Sequence, residues 1–459
     1  MTETVAVPLW LFVVLAAFAL VATLEWLLLP SVRWYFRRKV RRVMDEIGTR
    51  LNIRLPEFKL TRRAALIDRL TSDPRVRAAI QKHAAEGQVP RDVLVQRVAG
   101  YAREIVPAFN AYAYFRVGYW VAKTFARMTY RVRLGSSDAD ALAAIDPEAT
   151  VVFVMNHRSN MDYVLVSFLA AERTALSYAV GEWARIWPLQ TLIRAMGAYF
   201  VRRDSGDPLY RLVLQRYVQM ATEGGLTTDG LLRKPKLGLL DYMLKAFDPN
   251  GERDVVFVPV GINYDRVLED RTLVRKLDRD APRVGLAATV TTTARFVGRQ
   301  AALAVIGRRY RHGYACVNFG RPLSMRAHVR EHGVDFRSLG DNERRPAVAA
   351  VGALLMARIG AIVPVLPVPL VASVLLRDPA RPLGELELKS EVHALMARVE
   401  AAGGQVYVPR ADRDYAVSVG LRMLILRGLV VERDGLFVAD PGELTLLRYY
   451  ANSIGHVAT

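Results

Sequence analysis

The chain has 459 residues, 52% of them hydrophobic, with a formal net charge of +19, a pI near 10.1 and a mean hydropathy of +0.13. That length accommodates two or three domains and a sizeable core, and the single cysteine, Cys316, excludes an internal disulfide and agrees with a reducing compartment. The basic balance suits anionic partners: nucleic acid, an anionic lipid surface or phosphorylated substrates.

Val5 to Leu24 is an uncharged apolar run long enough to cross a bilayer core, and Trp26 to Leu29 extend it past Glu25 toward an interface. A signal peptide would want a basic start, whereas this start carries Glu3 and no cation. Arg33, Arg37, Arg38, Lys39, Arg41 and Arg42 follow, interleaved with Trp34, Tyr35 and Phe36. By the positive-inside rule the N-terminus faces out, the rest of the chain faces the cytoplasm, and the cations rest on anionic headgroups. Residues 1–32 are therefore expected to form a transmembrane anchor, with an amphipathic helix lying on the membrane as the alternative. Residues 33–130 read as a basic juxtamembrane and helical region, apolar and charged residues alternating at helical spacing with breaks at Pro56, Pro90 and Pro107. The aromatics Tyr112, Tyr114, Phe115, Tyr119, Trp120 and Phe125 suit packing or membrane contact better than a cofactor site.

From residue 131 to about 325, short apolar strands alternate with amphipathic helices, the signature of an α/β domain. Within it, Val151 to Met155 predicts a buried strand, Asn156 to Asn160 a polar break, and Met161 to Phe168 a helix. His157 then lies at the C-terminal end of a strand, where α/β sheets present their ligands. On one continuous helix Asp162 would sit roughly 140° away. With His157 before the helix and Asp162 in its first turn, the two side chains can meet. An imidazole held in one tautomer by a carboxylate is a general base for a hydroxyl. Taken alone, the stretch is better read as a solvated loop before a helix cap. Backbone amides at the helix start are candidate oxyanion donors. Ser159 lacks the surroundings of a nucleophile elbow, and no third ligand is spaced to make His157 and Asp162 a metal site.

Further stretches complete a pattern. Gly197-Ala198-Tyr199-Phe200-Val201-Arg202-Arg203 ends an apolar run on two arginines, whose fixed forks suit phosphate oxygens. Glu223-Gly224-Gly225, Gly230 and Pro235-Lys236-Leu237-Gly238 form a loop in which glycine permits close backbone approach. In the block Val255 to Val260, Val255 to Val258 reads as a strand that Pro259 ends, the proline shaping a turn. In this order, after Asn156-His157-Arg158-Ser159-Asn160-Met161-Asp162-Tyr163, these stretches resemble the blocks of the His-x4-Asp glycerolipid acyltransferases. The similarity is greatest to the bacterial glycerol-3-phosphate acyltransferases and their dihydroxyacetone-phosphate relatives. Val317 to Pro322 and Arg448 to Ser453 resemble later parts of the same family, so the likeness covers most of residues 110–459.

The resemblance implies His157 as base and Asp162 as its orienting partner. It implies Arg158, Ser159, Arg202, Arg203, Glu223, Gly224, Gly225 and Lys236 as substrate-binding residues, with no metal. The expected fold is α/β: an acyltransferase domain over residues 131–345 with a mostly parallel mixed sheet flanked by helices, preceded by the transmembrane helix. A mainly helical C-terminal domain follows over residues 346–459. Helices near 386–401 and 413–427 and a turn at Arg433-Asp434-Gly435 give that end a winged-helix look. Residues 385–459 carry eight Lys or Arg against ten Asp or Glu, a net of 8 − 10 = −2, which argues against nucleic acid as a partner. Ala361 to Leu376 is apolar but carries Pro364, Pro367 and Pro369, which argue against a second span.

The activity implied is transfer of a fatty acyl group from acyl-CoA or acyl carrier protein to the hydroxyl of glycerol 3-phosphate. No cofactor is needed, membrane lipids are partners, and the site faces the cytoplasm from the inner membrane. One departure bears on the acceptor. Family members that use glycerol 3-phosphate usually carry Arg-Ser-Arg after Glu-Gly-Gly, and here Leu226, Thr227 and Thr228 stand there, followed by Asp229. Dihydroxyacetone phosphate or a lysophospholipid is therefore an alternative acceptor. A membrane-tethered nucleic-acid binder or an inactive scaffold is the reading from another class.

Overall fold

The computed structural model describes residues 63–87, 89–108, 118–159, 161–170, 178–180, 189–195, 197–200, 202, 206–218, 231–232, 235, 237–275 and 312–458. The expected anchor at 1–32, the basic cluster after it, and Arg203, Glu223, Gly224, Gly225, Leu226, Thr228 and Lys236 lie outside these residues.

The expected helical region comprises α1 (Arg63–Thr71), α2 (Pro74–Glu86) and α3 (Arg91–Ile105). Asp73 caps α2 by accepting from the Arg75 and Val76 amides, with Pro74 in the first helical turn where its missing N–H costs nothing. Pro90 precedes α3, and Pro107 lies just past its end. Leu66, Leu70, Val76, Ile80, Leu94 and Val98 share one core with Tyr199, Tyr210, Val213 and Tyr217, so these helices brace the second sequence block.

The main sheet follows α4 (Tyr119–Thr129). Its elements are β1 (Arg131–Ser137), β2 (Thr150–Met155), α5 (Met161–Ala170), β3 (Tyr178–Val180), β4 (Ala198–Phe200), α6 (Pro208–Val218), α7 (Gly238–Ala246), β5 (Val255–Tyr264), α8 (Asp270–Arg275), β6 (Tyr314–Phe319) and β7 (Leu323–Ser324). The strand order is β1-β6-β5-β2, with β7 beside β5 and β3-β4 forming a separate parallel pair. β1–β6 and β2–β5 run parallel while β5–β6 and β5–β7 run antiparallel, so the sheet is mixed as expected but not mostly parallel, because β6 and β7 both return beside β5 in the opposite sense. β5 is buried nearly end to end, as its apolar run through Ile262 requires of a central strand, and the buried Asn263 is satisfied by donating to the Pro364 carbonyl at 2.8 Å. Cys316 is buried in β6, and burial pushes its thiol up to about 12, so it is an inert core residue.

One expectation fails here. β5 does not end before Pro259 but runs through it to Tyr264. β7 pairs with Val256 and Phe257 and β6 with Val260 to Tyr264, so Pro259 falls where one neighbour hands over to the other. No ladder bond is asked of its missing N–H, and its carbonyl accepts from the Gly320 amide at 2.8 Å.

The C-terminal part contains α9 (Asp341–Ile362), β8 (Pro364–Val365), α10 (Pro367–Leu375), β9 (Leu383–Gly384), α11 (Glu385–Ala401), β10 (Gln405–Val406), α12 (Arg413–Ile425), β11 (Val430–Arg433), β12 (Leu436–Ala439) and α13 (Leu444–Ala451). Asp434 and Gly435 adopt φ of 52° and 76°, the two-residue hairpin turn that joins β11 to β12. With β9 alongside β12, this is the wing expected after α11 and α12. By length and hydropathy α9 could cross a membrane, yet Val348, Val351, Gly352, Leu355 and Ile359 are buried against the protein. The expected boundary near residue 345 crosses a continuous core: Val260, Ile262 and Tyr264 of β5 belong to one cluster with Leu370, Leu395, Leu421, Tyr449 and Tyr450. A Cβ on Gly261 would stand 2.5 Å from the Ile362 carbonyl oxygen, so the two parts meet too closely there for any side chain.

Candidate active site

β2 ends at Met155, and the Asn156 side chain continues its pairing to β5. Asn156 Nδ2 donates to the Ile262 carbonyl and Oδ1 accepts from the Ile262 amide, each at 2.8 Å. The amide stands in for a peptide group, which frees the main chain to turn at His157. Asp162 in the first turn of α5 then faces back. Its Oδ2 accepts from His157 Nδ1 at 2.5 Å, from the Arg158 amide at 2.7 Å and from the Ser159 amide at 3.0 Å. Its Oδ1 accepts from the Tyr264 hydroxyl at 2.5 Å. Asp162 is 0% and His157 6% exposed.

A buried carboxylate needs donors, and these supply them. With Asp162 as acceptor the proton sits on His157 Nδ1, which leaves Nε2 as the basic nitrogen. The imidazole also packs edge-on against Tyr163, ring centres 4.9 Å apart. Burial first, and then the Asp162 charge, raise the Tyr264 phenol well above its ordinary value, so it remains a protonated donor.

His157 and Tyr163 stand in the wall of an otherwise apolar, half-open pocket. Val152 and Val154 of β2, Leu239 and Met243 of α7, Phe257 of β5 and Leu355 and Met356 of α9 line it. Such a cleft takes an alkyl chain readily and a charged group poorly.

The structure joins His157 and Asp162 as the spacing predicts. It places the other described site residues differently. The Arg158 and Ser159 amides, expected as oxyanion donors, point at Asp162 instead, because the helix start wraps its own first-turn carboxylate. Ser159 Oγ donates to Glu269 at 2.7 Å and accepts from the Met161 amide at 3.1 Å, which ties the loop to the segment after β5. Arg158 is 3% exposed, its guanidinium 5.1 Å from the Tyr449 ring centre, so it faces the C-terminal part. Arg202 does not present an open fork. Its Nε and Nη2 grip both oxygens of Glu104 at 2.9 and 2.6 Å, and it lies over the rings of Tyr101 and Tyr210.

Sequence reasoning missed Asn156, Tyr163, Tyr264, Glu104 and Glu269. Only Asn156 and Tyr163 stood in the singled-out block; Tyr264 lies 102 residues from Asp162, and only the β2–β5 register brings them together.

Residues 138–263 match the family model described as Acyltransferase, and residues 303–459 match that of the glycerol-3-phosphate acyltransferase C-terminal region. The glycerol-3-phosphate acyltransferase of Aeromonas hydrophila subsp. hydrophila is 27% identical over 91% of this chain and 53% of its own length. That of Xanthomonas campestris pv. campestris is 27% identical over 92% of this chain and 49% of its own, and that of Haemophilus ducreyi 27% over 88% and 50%. The chain thus spans about half the length of the curated relatives it matches. The crystal structure of the 1-acyl-sn-glycerophosphate (LPA) acyltransferase from Thermotoga maritima overlaps 53% of this chain and 80% of its own, at 15% identity and a TM-score of 0.29.

Proposed function

We propose, for a chain that carries the acyltransferase domain at residues 138–263 and the glycerol-3-phosphate acyltransferase C-terminal region at residues 303–459, that it moves a fatty acyl group from a thioester to the hydroxyl of glycerol 3-phosphate. The observation that carries this reading is the buried His157–Asp162 pair set in the wall of an apolar pocket.

The acyl chain lies in that pocket and brings its thioester carbonyl to His157. The acceptor hydroxyl gives its proton to His157 Nε2 as its oxygen attacks the carbonyl carbon. Asp162 holds the imidazole in place and offsets the positive charge it acquires. The tetrahedral intermediate collapses with loss of the thiolate, which takes the proton from His157. The new ester O–C bond replaces the C–S bond, and no acyl-enzyme forms. The donor is acyl-CoA or acyl carrier protein. Arg203 and Lys236 bind the acceptor's phosphate, with Glu223, Gly224 and Gly225 among the substrate-binding residues. The enzyme acts at the cytoplasmic face of the inner membrane, held by residues 1–32.

Leu226 and Thr228 stand where members of the resembled family that use glycerol 3-phosphate usually carry arginines, which favours a second reading of the acceptor alone: dihydroxyacetone phosphate or a lysophospholipid. The experiment is transfer from labelled acyl-CoA by the purified chain in detergent, offered each of these acceptors in turn. Acylated glycerol 3-phosphate as the dominant product supports the reading. Acylation of a different alcohol at a higher kcat/KM replaces the acceptor, and no transfer to any of them defeats it.

A further inference from the structure

The Tyr264 hydroxyl is fully buried at the C-terminal end of β5 and is directed at Asp162 Oδ1. Asp162 Oδ2 meets three donors, from His157, Arg158 and Ser159, while the hydrogen bond recorded at Oδ1 comes from Tyr264. The phenol has little freedom: its ring lies 5.3 Å from that of Tyr130, and its backbone pairs with Ala315 of β6. A phenylalanine would fill the same apolar space, so packing alone does not account for the hydroxyl.

We propose that Tyr264 is a positioning residue: by donating to Asp162 Oδ1 it limits how strongly Oδ2 draws on the His157 Nδ1 proton, and so sets the pH at which His157 accepts a proton from the substrate hydroxyl. This rests on His157 acting as the base of the proposed reaction. A carboxylate that loses a donor at one oxygen becomes more basic at the other, and the imidazolium beside it becomes more stable. Other groups face the pair from the surrounding elements. Glu269 follows β5, Tyr130 ends α4, Tyr163 stands on α5, and Arg158 in the loop packs on Tyr449 of α13. His456, near Arg158, adds another titratable group from the C-terminal end. A change confined to the Tyr264 hydroxyl leaves all of these in place, so the difference between variant and wild type isolates its contribution.

The test is Tyr264→Phe, together with the chain in which Tyr264 is replaced by 3-fluorotyrosine, a more acidic phenol of nearly the same shape. One readout is the pH dependence of His157 modification by diethylpyrocarbonate, followed on its peptide by mass spectrometry, which needs no turnover. The second is the acid limb of kcat for acyl transfer, with KM for donor and acceptor. In Tyr264→Phe both midpoints should rise by about half a pH unit or more. Its kcat should fall by no more than about threefold on the acid limb and recover on the alkaline plateau, with both KM values little changed. The fluorinated chain should shift both midpoints the other way. Midpoints unmoved in either folded variant, or a loss of kcat uniform in pH, overturn the proposal and leave Tyr264 a core residue. If Tyr264→Phe does not fold, the fluorinated chain alone decides. A protein that transfers no acyl group yet shows both modification shifts defeats the proposed function and supports the Tyr264 linkage.

Discussion

Asp162 separates charge from architecture, because its asparagine and alanine variants should fail in different ways. An asparagine can keep every partner. With its carbonyl oxygen turned toward the loop it accepts from His157 Nδ1 and the Arg158 and Ser159 amides, as Oδ2 does now. Its amide nitrogen then donates to the Tyr264 oxygen, since a hydroxyl can reverse its role. What disappears is the negative charge opposite the imidazolium. Asp162→Asn should melt within a few degrees of wild type while kcat falls on the order of 100- to 10,000-fold. Asp162→Ala instead strands the Arg158 amide, the Ser159 amide and the Tyr264 hydroxyl in a site 0% exposed. At about 1 kcal/mol or more for each stranded donor, the loss is at least roughly 3 kcal/mol, a large share of a typical 5–15 kcal/mol stability. With about 2 °C per kcal/mol for a large domain, the melting midpoint should fall by about 6 °C or more. Thermal unfolding and initial rates of both variants check this. An asparagine variant as unstable as the alanine one, or one retaining near-normal kcat, would refute the reasoning.

Three further outcomes are expected. A Cβ at Gly352 would stand 2.7 Å from Leu237 Cδ2 and 3.1 Å from Pro235 Cγ in the wall of the apolar pocket, so Gly352→Leu should shift donor preference toward shorter acyl chains in a chain-length series. Arg202→Ala breaks the grip on Glu104, and because both groups are partly exposed it should cost only about 1 kcal/mol in thermal unfolding while acceptor KM stays within roughly threefold. Asp265 is fully buried, and burial raises its carboxyl from the usual 3.8 to about 6 despite bonds from the Tyr314 and Val368 amides. Between those values the folded chain binds more protons than the unfolded one, so this group's contribution to stability is lost as pH rises from about 4 to about 6. Melting across that range should lose this component in Asp265→Asn.

What was legible in the chain was local. A strand, a polar break and a helix over Val151 to Phe168 sufficed to bring His157 to Asp162, because the contact spans five residues and depends on one helix start. The wing turn was equally plain, since Asp434-Gly435 admits the positive φ that the hairpin requires. The contacts that complete the site are set by topology. Tyr264 reaches Asp162 only because β5 lies parallel to β2 in one register, and Glu104 reaches Arg202 only because α3 packs beside β4, 98 residues away. Arg202 looked like a phosphate ligand because a sequence shows the guanidinium and not the carboxylate already holding it. Pro259 looked like a strand end because the sequence does not show that its N–H would have had no neighbour to bond. The resemblance implies a separate C-terminal domain, yet Asp270 binds Arg427 and Tyr450 in the buried core beneath the loop after β5. No spacing rule reaches across the 157 and 180 residues involved.

The most direct measurement is the initial rate of acyl transfer from acyl-CoA to glycerol 3-phosphate by wild type and by His157→Ala, each shown folded by thermal unfolding. His157 is predicted to remove the hydroxyl proton, so the variant should lose on the order of 100- to 10,000-fold in kcat at unchanged melting temperature. A folded His157→Ala protein that transfers acyl groups at a near wild-type rate would contradict the account.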